Sequence, residues 1–333
     1  MSQRGRMPWM LLAAAAIAAL GLGYIARTHL GTDRSANSKA IVRLAIPSNG
    51  AAFWPAYVAA KQGFYAAQGL EVRQSVVDPN ITVSSLIGGA MDIAFADSTQ
   101  LLFALEKHAD LVVVGLSADR QPYRLMAAPA ITTVAGLKGK KIGVASEIDV
   151  YTYVLKTILR GAGLDPDKDV MWVVGGNQQR RLAAMTGGNI DAGFFSPPSD
   201  ARLRKAGFNG LAFAPDYVPH LMLSTQVVRR DWTRSNGDVL RRLLHAQTAA
   251  VKWLYDPQNK QAAIAILVAQ TGAKSEDAEE AYKYFVAPHA WQDGCVHEEG
   301  LFSVIRIMRE TQQLASITEA DVPKFADGEW CAG

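Results

Sequence analysis

Residues 85–98 read SLIGGAMDIAFADS, and residues 184–197 read AMTGGNIDAGFFSP, so the chain carries one building unit twice. In each copy a helical run ends in a glycine pair, Gly88-Gly89 or Gly187-Gly188. An acidic residue follows, Asp92 or Asp191, and then an apolar strand through Phe95 or Phe194 opens into a polar loop. The flanks repeat more loosely. Residues 42–47 are an apolar run leading into Ser48-Asn49-Gly50 and a helix that closes at Gly69-Leu70, while 141–145 lead into Ser146-Glu147 and a helix that closes at Gly163-Leu164. Each half therefore reads strand, loop, helix, strand, helix, strand, loop, the rhythm of an α/β fold with a largely parallel sheet. Such sheets hold ligands where their strands' carboxyl ends meet helix N-termini.

Outside the repeat, the chain opens with Arg4 and Arg6 and then a stretch from 7 to 25 with no charge, rich in Ala and Leu, before Arg27. Residues 1–40 are read as an export signal or an N-terminal membrane anchor. The apolar stretch is long for a signal core and near the short end of the roughly 17 to 25 residues that span a bilayer, so both readings stand. The body is expected outside the cytoplasm in either case, periplasmic or tethered to the inner membrane. The formal net charge of +3 belongs to this segment, which carries +4 and leaves the body near −1. A near-neutral body without a basic stripe argues against nucleic acid as a partner.

The remainder is divided into lobe 1 (41–126 and 221–255), lobe 2 (127–220) and a helical C-terminal extension (256–333) expected to pack on lobe 1. Residues 123–127 and 221–227 are expected as strands bracketing the second repeat, where the chain crosses between lobes. Helices are expected over 239–255, 261–270, 275–284 and 298–314, the last with Leu301, Val304, Ile305 and Met308 on one face. The two cysteines, Cys295 and Cys331, both fall in the extension. In an exported protein they are expected as a structural disulfide; two buried thiols are the alternative.

Several motifs resemble the solute-binding proteins of ABC importers for nitrate, taurine and alkanesulfonates, and their relatives for thiamine pyrimidine precursors. They are Pro47-Ser48-Asn49-Gly50, the run 61–65 (KQGFY) leading to 69–72 (GLEV), 88–94 (GGAMDIA) and 137–144 (LKGKKIGV). The resemblance covers about residues 41–255 and implies a two-lobed type II periplasmic-binding-protein fold with a helical C-terminal tail. It also implies an extracytoplasmic, monomeric, non-enzymatic component without a cofactor, which captures a small-molecule solute and delivers it to ABC permease subunits. Two rival readings share that fold: an enzyme like the pyrimidine synthases, and a membrane-anchored sensing ectodomain.

In such a cleft the first lobe offers Ser48, Asn49 and the loop Asp97-Ser98-Thr99, and the second offers Ser146, Asn177 and Ser196, each of which could equally serve as a helix cap. Hydroxyls at helix N-termini suit an anionic head group. Phe53 and Trp54 precede Pro55, and Tyr151 takes the corresponding region of the second lobe; these aromatics are candidates for stacking on a planar solute, with Trp54 preferred over Phe53. Their alternative is stapling a helix to the core. Asp97 opposes a simple anion such as nitrate and favours a solute bearing an N–H or ammonium group, hence an amino-sulfonate or a nitrogenous aromatic. Arg180 and Arg181 are expected on an exposed helix surface, the alternative being that one reaches an anion, and Arg124 is the better candidate for solute or inter-lobe contact. His289, Asp293, Cys295, His297 and Glu298 fit no established zinc spacing, so no metal is expected. No nucleophile elbow, phosphate loop or dinucleotide fingerprint is present.

Overall fold

The computed structural model describes residues 39–115, 118, 122–222, 224–291, 293, 295–326 and 330. The segment 1–40, expected as an export signal or anchor, lies outside the described residues apart from its last two positions, as does the Cys331 end of the expected disulfide. Among the described residues no helix is long and apolar enough to cross a membrane.

The chain runs β1 (Ala40–Ile46), α1 (Trp54–Lys61), α2 (Phe64–Ala67), β2 (Leu70–Val76), α3 (Pro79–Ile87), β3 (Ile93–Asp97), α4 (Ser98–Glu106), β4 (Leu111–Gly115) and β5 (Arg124–Ala127). It continues through β6 (Lys141–Val144), α5 (Val150–Gly161), β7 (Met171–Val174), α6 (Gln178–Thr186), β8 (Ala192–Phe195), α7 (Ser199–Lys205), β9 (Asn209–Phe213) and β10 (Ser224–Arg229). Four helices end it: α8 (Arg230–Tyr255), α9 (Lys260–Thr271), α10 (Ser275–Phe285) and α11 (Glu298–Glu310).

Two five-stranded sheets result, in the orders β2-β1-β3-β10-β4 and β7-β6-β8-β5-β9. The orders superpose term by term: β1 with β6, β2 with β7, β3 with β8, β4 with β9, and in each the fourth place is an antiparallel strand, β10 or β5. This is the α/β type II periplasmic-binding-protein fold. The repeated segments form α3-β3 and α6-β8, and both glycine pairs turn the chain through a left-handed residue, Gly89 (φ 73°) and Gly188 (φ 72°), where a side chain would be strained.

The repeated acid has the same task in both halves. Asp92 Oδ2 accepts from the Arg43 backbone N–H (2.8 Å), and Asp191 Oδ2 accepts from that of Lys141 (2.8 Å), fixing the entry of the central strand beside the start of its neighbour.

The divisions expected from the sequence need two corrections. Arg124–Ala127 pairs with β8 and β9, so it lies wholly in the second sheet, and the first lobe's opening segment ends before it. The reason is topological: each sheet takes its antiparallel strand immediately after a crossing. Nor does the C-terminal extension stay on the first lobe. While α9 packs on α1, α10 also meets α7 of the second sheet, and α11 packs against both α4 and α5. Leu301, Val304, Ile305 and Met308 of α11 are buried in a core continuous with Leu101 and Val113 on one side and Val154 and Phe194 on the other. A second core backs the first sheet, where Trp54, Phe285 and Trp291 are buried.

Candidate functional site

The N-termini of α4 and α5 meet between the sheets. Asp97 closes β3 and caps α4, its Oδ1 accepting from Thr99 N (3.0 Å) and Gln100 N (3.1 Å). Asp149 caps α5, accepting from Thr152 N (2.8 Å) and Ser146 N (2.9 Å). Across the junction the first N–H of α5, on Val150, donates to Thr99 Oγ1 at 3.0 Å. Further hydrogen bonds join the lobes at the rim: Arg180 Nη1 to Asp78 (3.1 Å), Asn80 Nδ2 to the Ala145 carbonyl (3.2 Å) and Gln179 Nε2 to the Asn49 carbonyl (2.9 Å). The lobes are closed on one another.

Between them lies a cavity of about 70 Å³. The first lobe lines it with Ser48, Phe53, Asp97 and Ser224; the second with Asp149, Tyr151, Asn177, Gln178, Arg181 and Phe194; Tyr123, on the crossing into β5, completes the wall. Tyr123, Tyr151 and Phe194 form an aromatic cluster, with Tyr123 and Tyr151 tilted at 4.3 Å between centroids and Phe194 edge-on to Tyr151 at 5.5 Å.

Burial shapes the charges here. It pushes the Asp97 carboxyl up to about 7, with Asp149 adding like-charge repulsion and the capping N–H groups opposing both. Burial also raises Asp149, against its bonds from Thr152 and Ser146. The Arg181 guanidinium is pulled down from its ordinary value by burial, in spite of Tyr123, Asp149 and Asp78 nearby. Arg181 donates to the Gly176 carbonyl through Nη1, while its Nε has no partner among the described residues. The buried hydroxyl of Tyr151 has none either. Two buried donors without protein acceptors, on the wall of one cavity, take their partner from whatever enters it, water or a guest.

Of the residues singled out in the sequence, Ser48, Asp97, Tyr151 and Asn177 reach the cavity, and Asn177 also caps α6 through Oδ1 to Arg180 N (3.0 Å). Ser98 and Thr99 are buried just behind it, Ser98 donating to the Met222 carbonyl. Ser196 takes a supporting place: its N–H and hydroxyl both donate to Gln178 Oε1 (2.9 and 3.0 Å), fixing an amide that does line the cavity. Ser146 gives its backbone N–H and carbonyl to the α5 cap, and its hydroxyl accepts from the Ile148 N–H (3.3 Å). Asn49 sits in an adjoining groove with Gln179 and Thr271. Trp54 is off the cavity altogether, fully buried with its indole N–H on the Ala263 carbonyl (3.1 Å), and it is Phe53 that faces the cavity, edge-on to Phe95. One step along a helix start turns a side chain by about 100°, enough to exchange the two. Arg124 lies over the Phe213 ring, away from the cavity.

Sequence reasoning passes over Tyr123, Asp149, Gln178 and Ser224 and expects Arg181 to be exposed. Asp149 leaves a trace, an Asp directly before an apolar helical run, which is an N-cap signature. For Arg181 nothing local separates it from Arg180, whose side chain is 70% exposed. Outside this region, Asp293 and His297 pair at 2.9 Å.

The fold thus defines a two-lobed protein with a cavity lined from both sheets. A family model described as NMT1/THI5 like matches residues 51–260, and the chain belongs to that family. No curated protein matches its sequence. Its structure is similar to that of the alkanesulfonate-binding protein SsuA from Xanthomonas axonopodis pv. citri bound to MOPS (TM-score 0.70, 18% identity, 86% of this chain and 98% of that one). It is similar as well to the periplasmic nitrate-binding protein NrtA from Synechocystis PCC 6803 (TM-score 0.73, 14% identity, 87% of each). A single-residue mutant of DszB in complex with biphenyl-2-sulfinic acid, DszB being a desulfurization enzyme, shares the fold too (TM-score 0.65, 16% identity, 88% of this chain and 98% of that one).

Proposed function

We propose that this protein is the extracytoplasmic solute-binding component of an ABC importer, which closes its two lobes over a small sulfonate, amino-sulfonate or nitrogenous aromatic solute and presents it to permease subunits. The observation that carries the reading is the pair of buried, unsatisfied donors, Arg181 Nε and the Tyr151 hydroxyl, on a cavity lined from both sheets. Contacts made only when a guest bridges the lobes are what bias an open protein toward closure. In this reading Ser48, Phe53 and Asp97 hold the solute from the first lobe. Tyr151, Asn177, Gln178 and Arg181 hold it from the second, with Arg181 on an acceptor or anionic group and the aromatic cluster against a planar or apolar part. The similarity to the alkanesulfonate and nitrate binders supports transport through the fold alone.

The test is a thermal-stability screen of the purified protein over taurine, alkanesulfonates, nitrate, aromatic carboxylates and pyrimidine precursors. A cognate solute at a hundredfold excess over its dissociation constant adds about 2.7 kcal/mol. The fold shared with a desulfurization enzyme favours one rival, turnover of a bound compound. Product formed from any screened compound, with no stabilising ligand found, decides for the enzyme.

A further inference from the structure

Two carboxylates from opposite lobes face the same small cavity. Asp97 caps α4 and Asp149 caps α5, and the two caps are held together by the Val150 N–H to Thr99 Oγ1 bond that crosses the lobes. Closure brings them into each other's field out of water, where like charges repel strongly. Among the described residues the other charged or titratable groups near them are Arg181 from α6, the hydroxyls of Tyr123, Tyr151 and Tyr153, and Asp78 at the rim, which Arg180 already engages. Among the described residues one guanidinium therefore stands against two buried carboxylates, an imbalance that a cation or a proton between the lobes would offset.

We infer that Asp97 and Asp149 act as one specificity-determining pair that closes around either a positively charged nitrogen of the solute or a proton, so that capture of a cationic or zwitterionic solute expels a proton to the solvent. This rests on the solute-binding reading and narrows it. The solute's nitrogen replaces the carboxyl proton between the lobes, and an acceptor group on the same solute meets Arg181 Nε and the Tyr151 hydroxyl. A purely anionic solute has the opposite linkage, since it adds negative charge beside the pair and draws a proton in. The raised carboxyl of Asp97 sets the pH range in which the exchange is felt.

The test compares taurine with ethanesulfonate, which lacks only the ammonium group, and with ethylammonium, which lacks the sulfonate, by titration calorimetry at pH 6 and pH 8. The nitrogen-bearing compounds are expected to bind about tenfold more tightly at pH 8, with up to one proton released, as a group titrating near neutrality requires. Ethanesulfonate binding as tightly as taurine, or an affinity that falls as pH rises, overturns the inference. A second readout needs no solute. Carboxyl NMR of the wild-type protein is expected to show an Asp titrating near neutrality, absent in Asp97→Asn and shifted toward ordinary carboxylate values in Asp149→Asn. Both aspartates titrating in the ordinary range overturns the pair even if the screen finds a ligand, whereas a blank screen beside a coupled pair counts only against the transport reading.

Discussion

The Tyr151 hydroxyl has no partner among the described residues, so its removal separates what the residue does for stability from what it does for a guest. Tyr151→Phe is expected to leave the ligand-free protein as stable as the wild type or about 1 kcal/mol more so, because an unsatisfied buried group is lost. The same change weakens solute binding, and paired melting curves with and without solute read both effects. Asp97 gives the pH dependence. Its carboxyl titrates at about 7 in the folded chain against 3.8 ordinarily, so between those values the native state holds a proton that the unfolded chain has released. Stability of the ligand-free protein therefore falls as pH rises through that window, and Asp200, pushed up to about 6 by burial, acts in the same direction. The share of Asp97 between pH 5 and pH 8 is up to about 3 kcal/mol. Asp97→Asn keeps a good cap and is expected to flatten this dependence, which thermal melts at the two pH values check. At this scale the sequence is legible where a residue ends a strand and starts a helix, as Asp97 does. It is illegible where neighbours of like chemistry point opposite ways. Arg180 and Arg181, or Phe53 and Trp54, are sorted only by tertiary packing.

The repeated element makes its own prediction, since the two copies are tied down unequally. Asp92 holds the Arg43 N–H and is also gripped by the Arg43 guanidinium at 3.0 and 2.6 Å, whereas Asp191 has the Lys141 N–H at 2.8 Å. Asp92→Ala is expected to cost about 2 kcal/mol and Asp191→Ala about 1 kcal/mol in urea unfolding; the Arg43 side chain is half-exposed, which limits the difference. Glycine pairs, acids and apolar strands at matching places in two segments make these elements readable from the amino-acid order alone. The strand β9 and the helix α7 are not: β9 opens on Asn209-Gly210, a turn signature, and α7 is a seven-residue helix behind Pro197-Pro198.

At the scale of the molecule, α11 joins what the repeat divides. Its apolar face enters a core shared by both lobes, so Leu301→Ala is expected to cost about 2–5 kcal/mol and to lower the stability of both lobes in one cooperative transition. Tryptophan fluorescence and circular dichroism followed through urea unfolding check this, and two separated transitions would speak against a shared core. The spacing of Leu301, Val304, Ile305 and Met308 announces a buried helix face, but periodicity carries no information about the partner surface, which is why the reach of the extension across both lobes is visible only in the fold. The central claim is that a small solute sits between the two sheets. A crystal structure of the protein with the most stabilising compound tests it directly. The account predicts that compound inside the cavity, with acceptor atoms within hydrogen-bond distance of Arg181 Nε and the Tyr151 hydroxyl and a nitrogen facing Asp97 and Asp149. The compound bound elsewhere, with only water between the lobes, would contradict it.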